Sequence, residues 1–407
     1  MKILIFVTSF FVTFLFYGIY ISQHDIEITT KSLPSQQLLT NSGNRLFYDY
    51  RGVINVRSDL SNGSSSPFEV INEAKLANLD FLFFTEINKS TTYEYLNSYF
   101  GDLMVVDAAE YSFLDARLLV VNDRSHLEQM NESERQLKLT DYLSQNYDKA
   151  KESLIILAHP YMPEASWTGP YPTGLDGVEI LNPKAISQRS WLKSKFNVFF
   201  SLIIYPFNSK YAFLRLFSEP TQETVLWDQL NEQRPTWGFA GADASARAVP
   251  MPGALIKFPS YQRNFEIATN HVLLNSELTG QYQKDRERII QALRSGQFYT
   301  SVDLLADPKG FVAYIKDKDD IIKMGSKLKY KKNLNLHVSL GNQPKYFFEI
   351  VLIKDGERIY TSNSMELDYD IKSKGNYRIQ VRVSPTFPFP EGKRWITWIY
   401  SNPFFIK

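Results

Sequence analysis

Short apolar runs that end next to polar residues recur along most of the chain. The runs are Val53–Val56, Leu79–Phe84, Leu103–Val106, Leu118–Val121, Ser153–His159, Leu175–Asn182 and Trp237–Asp243. Such runs are typical of strands that are buried on both faces of a parallel sheet. Helix-like segments such as Glu132–Tyr147 lie between them. The alternation predicts an α/β fold, a parallel β/α barrel with its chemistry at the carboxyl ends of the strands.

The stretch Tyr50–Asn88 shows this alternation in its most compact form. Asn62–Ser64 is a turn signal between the first strand and the next element. Pro67 suits the first position of a helix, and Ser66 is a candidate cap before it. The stretch therefore predicts a strand, a loop, a helix and a second strand at the start of the barrel.

The pattern changes near Gly310, where apolar and polar residues begin to alternate with period two. Asp355 and Gly356 form a hairpin signal between two such segments. Many short strands with turns between them are typical of a β-sandwich. We therefore predict a barrel over residues 45–305 and an all-β sandwich over residues 306–407.

The segment Ile3–Ile21 carries no charge and is long enough to span a bilayer as a helix. A cleaved signal peptide is the alternative, with Lys2 as its charged start. We favour an uncleaved anchor because no small-residue cleavage site follows, and because Tyr17 and Tyr20 suit a membrane interface. The helix is expected to be continuous and to stay clear of the barrel.

Lys2 precedes the apolar segment, and no cluster of basic residues follows it. This asymmetry predicts a single-pass membrane protein with most of the chain outside the cytoplasm. Residues 1–22 are the predicted anchor. Residues 23–44 are polar and show no periodicity, so we expect a tether there.

The segment Phe196–Phe217 interrupts the alternation because it is dense in aromatic residues. One interpretation is a pair of core helices that cap the barrel, since buried aromatic stripes are common. The other is a hairpin that dips into the membrane to which the chain is anchored. The sequence alone favours the first interpretation.

Composition excludes some classes of function. An apolar content of 44% and a charged content of 22% are ordinary for a folded body. A net charge of +1 without dense basic runs argues against nucleic-acid binding. The chain has no cysteine, which excludes thiolate metal sites and a cysteine nucleophile.

The motifs at the strand ends resemble those of the PHP (polymerase and histidinol phosphatase) family. That family carries His-x-His, Ser-Asp-Gly and Thr-Asp-His motifs in its opening unit. The corresponding positions here are Asn55 and Arg57, then Asn62, then Thr85, Glu86 and Ile87. Further on, Glu110 matches a third-strand glutamate, Ala158–Pro160 matches Ala-His-Pro, and Asp243–Ser245 stands where the family has Asp-x-His. The resemblance implies a distorted β/α barrel and a polynuclear metal site that hydrolyses phosphoesters.

Most of the implied metal ligands are replaced in this chain. Ile87 cannot coordinate a metal, and Arg57 offers only hydrogen-bond donors. The residual candidates for metal ligands are Glu110, His159, Asp243 and Glu86. These residues would hold at most one divalent ion (Mn, Zn or Fe), and we expect no cofactor. No residue is assigned a catalytic role.

Arg57 is the most informative substitution. A barrel mouth that keeps carboxylates but loses its cations would bury uncompensated negative charge, which is costly. We therefore hypothesise that the Arg57 guanidinium takes the place of the metal. A solvated arginine at a strand end is the alternative. For His159 and Asp243 the alternatives are a hydrogen-bonded histidine and a helix N-cap, and Glu86 is alternatively a surface acid.

The predicted ligand-binding residues are Asn55, Arg57, Asn182 and Arg247, and a phosphorylated or anionic molecule is the predicted ligand. We expect no role in a metal site for His126, His271 or His337. The sequence predicts a membrane-anchored PHP-type protein that has lost catalysis and serves binding or assembly. A phosphoesterase with a reduced, mononuclear metal site is the alternative. The sequence does not identify a protein partner.

Overall fold

The computed structural model describes residues 2–29, 37–39, 45–89, 94–122, 127–148, 153–162, 167, 171, 173–246, 248–251, 254–257 and 259–407. The fold is a mixture of helices and strands, as predicted, with an N-terminal helix α1, Lys2–Ser22. Strands of the first part of the chain are β1 Gln37–Leu39, β2 Arg45–Val56, β3 Phe81–Ile87, β4 Ser98–Phe100, β5 Leu103–Phe113, β6 Ala116–Val121, β7 Leu154–Leu157, β8 Gly177–Leu181, β9 Trp237–Ala244, β10 Ala248–Met251, β11 Ala254–Lys257, β12 Thr269–Leu274 and β13 Phe298–Ser301. The helices are α2 Pro67–Leu76, α3 Glu132–Asp148, α4 Pro183–Lys193, α5 Lys195–Ile204, α6 Ser209–Leu216, α7 Thr221–Gln233, α8 Tyr261–Phe265 and α9 Tyr282–Arg294.

Seven strands close into a barrel in the order β2, β3, β5, β6, β7, β8, β9 and back to β2. The barrel is not parallel throughout, because β6 runs antiparallel to both β5 and β7. Only Leu114 and Asp115 connect β5 to β6. A connection this short makes a hairpin, since a parallel crossover needs a dozen residues or more.

The opening unit folds as its sequence predicts. Ser66 caps α2 by accepting a hydrogen bond from the Glu69 backbone, and the Glu69 side chain accepts one from the Ser66 backbone. This capping box satisfies two donors that a helix start leaves free. Val70 and Ile71 of α2 are buried in the same hydrophobic cluster as β2 and β3 residues. The helix therefore covers one outer face of the barrel.

The C-terminal strands are β14 Val312–Asp317, β15 Asp320–Lys323, β16 Lys327–Leu328, β17 Asn335–Ser339, β18 Phe347–Lys354, β19 Glu357–Ser362, β20 Glu366–Asp370, β21 Gly375–Ser384, β22 Thr386–Phe387, β23 Gly392–Lys393, β24 Ile396–Ser401 and β25 Phe404–Ile406. One antiparallel sheet has the order β15, β14, β17, β20. A second contains β19, β18, β21 and β24. Buried side chains of both sheets belong to one hydrophobic core, and the division into a barrel and a sandwich stays a prediction.

The second C-terminal sheet is continuous with the barrel. Strand β24 pairs with β13, β13 with β12, and β12 with the first half of β2. The second half of β2 pairs with β3 and β9 inside the barrel. One long strand therefore belongs to both parts of the molecule.

The helix α1 is continuous, as predicted, and long and apolar enough to span a membrane. Its C-terminal end does not stay clear of the folded body, which corrects our expectation. The Phe14 and Phe207 ring centroids are 5.6 Å apart, and Asn208 Nδ2 donates to the Ile21 carbonyl at 2.9 Å. In the residues that follow α1, Ile26 and Ile28 are buried.

The aromatic segment folds as helices α5 and α6, and it is only partly buried. Ile204, Tyr211 and Leu214 lie in the core, whereas Phe196 and Phe199 are exposed. Neither sequence interpretation describes the segment fully, because one face packs inward as a cap and the other faces outward.

Candidate functional site

Polar side chains from several strands meet at the carboxyl end of the barrel, and all of them are buried. They are Asn55 and Arg57 at the end of β2, Glu110 in β5, His159 after β7, Glu179 in β8, Asn182 after β8, and Asp243 in β9. The structure thus brings together the predicted residues Asn55, Arg57, Glu110, His159, Asn182 and Asp243. It adds Glu179, which the sequence analysis did not select.

Arg57 lies at the centre of this cluster. Its Nε atom is 2.9 Å from Glu110 Oε2, and its Nη2 atom is 2.5 Å from Asp243 Oδ1. The same nitrogen donates to Asn55 Oδ1 at 3.0 Å. These contacts agree with the charge-replacement hypothesis and not with a solvated arginine, since the Arg57 side chain is 2% exposed.

The charges in the cluster shift one another's ionisation. Burial alone would raise the pKa of Asp243, but Arg57, His159 and Lys184 together outweigh burial and hold that pKa well below its usual range. Burial alone would lower the pKa of Arg57, but the Glu110 and Asp243 carboxylates raise it. Arg57 and Asp243 therefore each favour the charged form of the other.

His159 stands among three carboxylates. Its Nδ1 atom is 3.6 Å from Glu179 Oε2 and 3.7 Å from Asp243 Oδ2, and its Nε2 atom is 4.0 Å from Glu110 Oε1. Burial alone would lower the pKa of His159, but Glu179 and Asp243 outweigh burial and raise it. When it is protonated, His159 adds a further positive charge beside Arg57 and Lys184.

Glu179 organises the cluster by accepting three hydrogen bonds. Asn55 Nδ2 donates to Oε1 at 2.8 Å, while the His159 backbone and Asn182 Nδ2 donate to Oε2 at 2.8 and 2.9 Å. Gly241 on the neighbouring strand makes room for this carboxylate, because a Cβ there would lie 1.7 Å from Glu179 Oε1. The sequence feature that could have identified Glu179 was its position as a single acid within an otherwise apolar strand.

The backbone is strained at this site. Asn55, His159 and Asp243 have φ angles of 64°, 29° and 44°. Left-handed conformations are unfavourable for residues with a Cβ, and such strain concentrates at functional sites. Asp243 is not a helix N-cap, because it lies inside β9 and the next described element is the strand β10.

The described hydrogen bonds of Glu86 go to the loop after β2 and not to the cluster. Glu86 accepts hydrogen bonds from the Ser58 backbone at 2.8 Å and from the Ser58 and Ser61 hydroxyls. It therefore holds the loop after β2 and is not a surface acid. Arg247 lies outside the described residues.

His271 belongs to a second buried cluster, at the opposite end of β2. Its Nδ1 atom is 2.9 Å from Asp49 Oδ1, and its Nε2 atom is 3.5 Å from Asp303 Oδ2. Tyr299 donates to Asp49, and Arg51 pairs with Asp303 at 2.5 Å. This network joins β2 to β12 and β13, so His271 has a structural role. His337 pairs with Asp368, and His126 lies outside the described residues.

The cluster at the barrel mouth does not fit the polynuclear metal site that the resemblance implies. The guanidinium of Arg57 takes the position between Glu110 and Asp243 where a cation would need to bind both carboxylates. In the part of the chain that the structure describes, no group of three or more His, Asp or Glu side chains is arranged to hold a metal ion.

A cavity of about 310 Å³ adjoins the cluster. Lys184, Asp243 and Ser245 line its polar end, and Lys184 Nζ is 3.5 Å from Asp243 Oδ1. Side chains of α4, α5 and α6 form its apolar wall, among them Leu202 and Phe213. A small molecule with one polar and one apolar part matches this lining.

The chain matches no protein-family model, and no curated protein is similar to it in sequence. Solved structures show distant likenesses. PsfC from Pseudomonas syringae is 13% identical over 58% of this chain and 87% of its own, with a TM-score of 0.35. A two-domain protein from Bacteroides vulgatus, containing a predicted PHP-like metal-dependent phosphoesterase, is 12% identical over 90% of this chain and 99% of its own, with a TM-score of 0.36.

A third likeness is to a protein from Bifidobacterium adolescentis that is described as a candidate metal-dependent phosphoesterase. It is 11% identical over 53% of this chain and 94% of its own, with a TM-score of 0.28. At these identities and TM-scores the likenesses assign neither a family nor an activity. The function must be argued from the site itself.

Proposed function

We propose that this chain is a membrane-anchored protein of the PHP type whose barrel mouth has exchanged metal catalysis for binding or assembly. The observation that carries the proposal is the buried pairing of Arg57 with both Glu110 and Asp243. A metal phosphoesterase needs hard cations that ionise a bound water and polarise the phosphoryl oxygens. A guanidinium neutralises the same carboxylates but cannot supply that chemistry, because it has no open coordination position.

The charges of the cluster support this proposal. Glu110, Glu179 and Asp243 face the cations Arg57 and Lys184, with His159 as a third when it is protonated. Buried carboxylates are tolerated only when they are paired and hydrogen-bonded. The chain's own cations provide the ion pairing without an added metal ion.

The cavity beside the cluster supports a binding role. Asn55, Arg57 and Asn182 are buried and already hydrogen-bonded, whereas the Lys184 side chain is 31% exposed and reaches the cavity. We propose a ligand with an anionic group that pairs with Lys184 and an apolar part that contacts α4–α6. Membrane anchoring through α1 is part of the proposal, and its length and apolar composition support it.

A phosphoesterase with one metal ion is the second candidate. Glu110, Glu179 and Asp243 each lie within 4.0 Å of His159, and the four side chains are suitable ligands once Arg57 moves away.

Hydrolysis of bis(p-nitrophenyl) phosphate by the full chain in detergent, with Mn²⁺, Zn²⁺ or Fe²⁺ added, separates the two candidates. Matched Glu110→Ala and His159→Ala variants serve as controls. We expect the wild-type rate to equal that of the variants. A metal-dependent rate that both variants lose would establish the hydrolase instead.

A further inference from the structure

The outward face of α4 and α5 is apolar. Leu192, Phe196 and Phe199 are 73%, 75% and 58% exposed. Phe196, Phe199 and Leu202 recur every three residues, so they lie on the same side of α5. Contiguous exposed apolar patches of this kind mark interaction sites on soluble surfaces and membrane-contact sites on anchored proteins.

A second part of the molecule extends the same face. Phe389, in the loop between β22 and β23, is 77% exposed. Its carbonyl accepts a hydrogen bond of 2.8 Å from the Tyr17 hydroxyl of α1. Tyr17 also contacts Phe200 of α5, with ring centroids 6.1 Å apart. The exposed aromatics of α5 and of this loop therefore flank the C-terminal end of α1.

The contacts of α1 show how far along the helix axis this face lies. Phe207 contacts both Phe14 and Gly18 of α1, and a Cβ at Gly18 would lie 2.4 Å from the Phe207 ring. Phe14 is about 12 Å from Ser22 along the helix axis, at 1.5 Å per residue. If Ser22 marks the point where α1 leaves the bilayer, Phe207 must lie below the membrane surface.

The charges near this face match a lipid surface. Lys193 and Lys195 are exposed at the junction of α4 and α5, and Lys195 Nζ is 5.7 Å from the Trp191 ring centroid. Tryptophan beside lysine is typical of the headgroup region. The neighbouring acid, Glu391, is paired with Arg215 at 2.5 Å. The face therefore presents exposed cations and apolar rings, the combination that binds anionic lipids.

We propose that the α4–α5 face and the Phe389 loop insert into the outer layer of the bilayer that α1 spans. The proposal rests on the membrane anchoring in the proposed function. The barrel mouth would then be held close to the membrane, because α4 and α5 also line the cavity beside Asp243. A protein partner on this face is the other outcome that the test must recognise.

The chain has no cysteine, so single-cysteine variants of the full chain can each carry one nitroxide spin label. The test positions are Phe196, Phe199 and Phe389, and Phe10 reports on the anchor. Leu114 and Leu137 are matched controls, because they are 60% and 85% exposed but lie at the β5–β6 turn and on α3. The labelled chains are placed in vesicles of phosphatidylcholine and phosphatidylglycerol. Collisions with oxygen, which enters lipid, are compared with collisions with a water-soluble nickel chelate.

We expect labels at Phe196, Phe199 and Phe389 to collide preferentially with oxygen, at a shallower depth than Phe10, while both controls collide with the nickel chelate. Lys193→Glu with Lys195→Glu should make the test labels shallower. Test labels that behave like the controls while Phe10 lies in lipid would overturn this proposal and leave the anchor intact. Test labels shielded from both reagents would show a protein partner and also overturn it. A water-exposed Phe10 would reject the anchor itself.

Discussion

Arg57 Nη2 lies 2.5 Å from Asp243 Oδ1, although the two residues are 186 positions apart in the chain. Strands β2 and β9 are neighbours in the closed barrel, so their carboxyl ends meet. The pair is buried, and Glu110 contacts the same guanidinium. Removing Arg57 would take the guanidinium away from both buried carboxylates.

Arg57→Ala should therefore destabilise the protein by about 3–5 kcal/mol, the usual cost of removing one partner from a buried ion pair. Urea unfolding of the full chain measures this change. The matched control is Arg263→Ala, because Arg263 pairs with Glu266 at 2.7 Å but is 41% exposed. That control should cost less than about 1 kcal/mol.

A combined variant separates the effect of unpaired buried charge from the effect of lost side-chain packing. Arg57→Met together with Glu110→Gln and Asp243→Asn removes the negative charges along with the cation. This variant should recover part of the stability that Arg57→Ala loses, because no unpaired charge remains buried. An Arg57→Ala loss no greater than that of Arg263→Ala would contradict the role given to Arg57.

Gly241→Ala should disturb the site through Glu179. The added Cβ would overlap the Glu179 carboxylate, which must then leave its three donors. Overpacking of this kind costs about 1–3 kcal/mol. In a Glu179→Ala background the same substitution should cost much less, so a double-mutant cycle should show strong coupling. Additive losses would mean that Gly241 is needed for another reason.

The network around His271 predicts that the folded protein loses stability at high pH. Burial alone would lower the pKa of His271, but Asp49 and Asp303 outweigh burial and raise it to about 10. A raised folded-state pKa gives stability that is fully present below the unfolded value near 6.5 and is lost as the pH rises through about 10.

Between pH 7 and 10 the His271 contribution should fall by about 1.4 kcal/mol per pH unit. Urea unfolding of wild type and His271→Gln across this range isolates the contribution as the difference between their slopes. Parallel pH profiles would show that His271 is neutral in the folded protein.

The sequence predicted what depends on local patterns. The apolar runs from Val53 to Asp243 became barrel strands, and Ser66 and Pro67 began α2. The direction of β6 was missed, because an apolar run such as Leu118–Val121 has no direction of its own. The short connection at Leu114 and Asp115 was the feature that could have predicted an antiparallel β6.

The rest depends on contacts between distant parts of the chain. Glu179 lies in an apolar strand, and nothing nearby in sequence shows that Asn55, His159 and Asn182 will donate to it. His271 likewise depends on Asp49, far along the chain. The packing of Phe207 against α1 could not be predicted from the sequence, because both segments are apolar and neither identifies the other as its partner.

Elemental analysis of the purified full chain measures whether Arg57 occupies the position where a metal ion would otherwise bind. Wild type exposed to Mn²⁺, Zn²⁺ or Fe²⁺ and then desalted should retain far less than one ion per chain. Arg57→Ala should retain more, because Glu110, His159 and Asp243 are then free to coordinate. A stoichiometric ion in wild type that is lost in Glu110→Ala and His159→Ala would contradict the account.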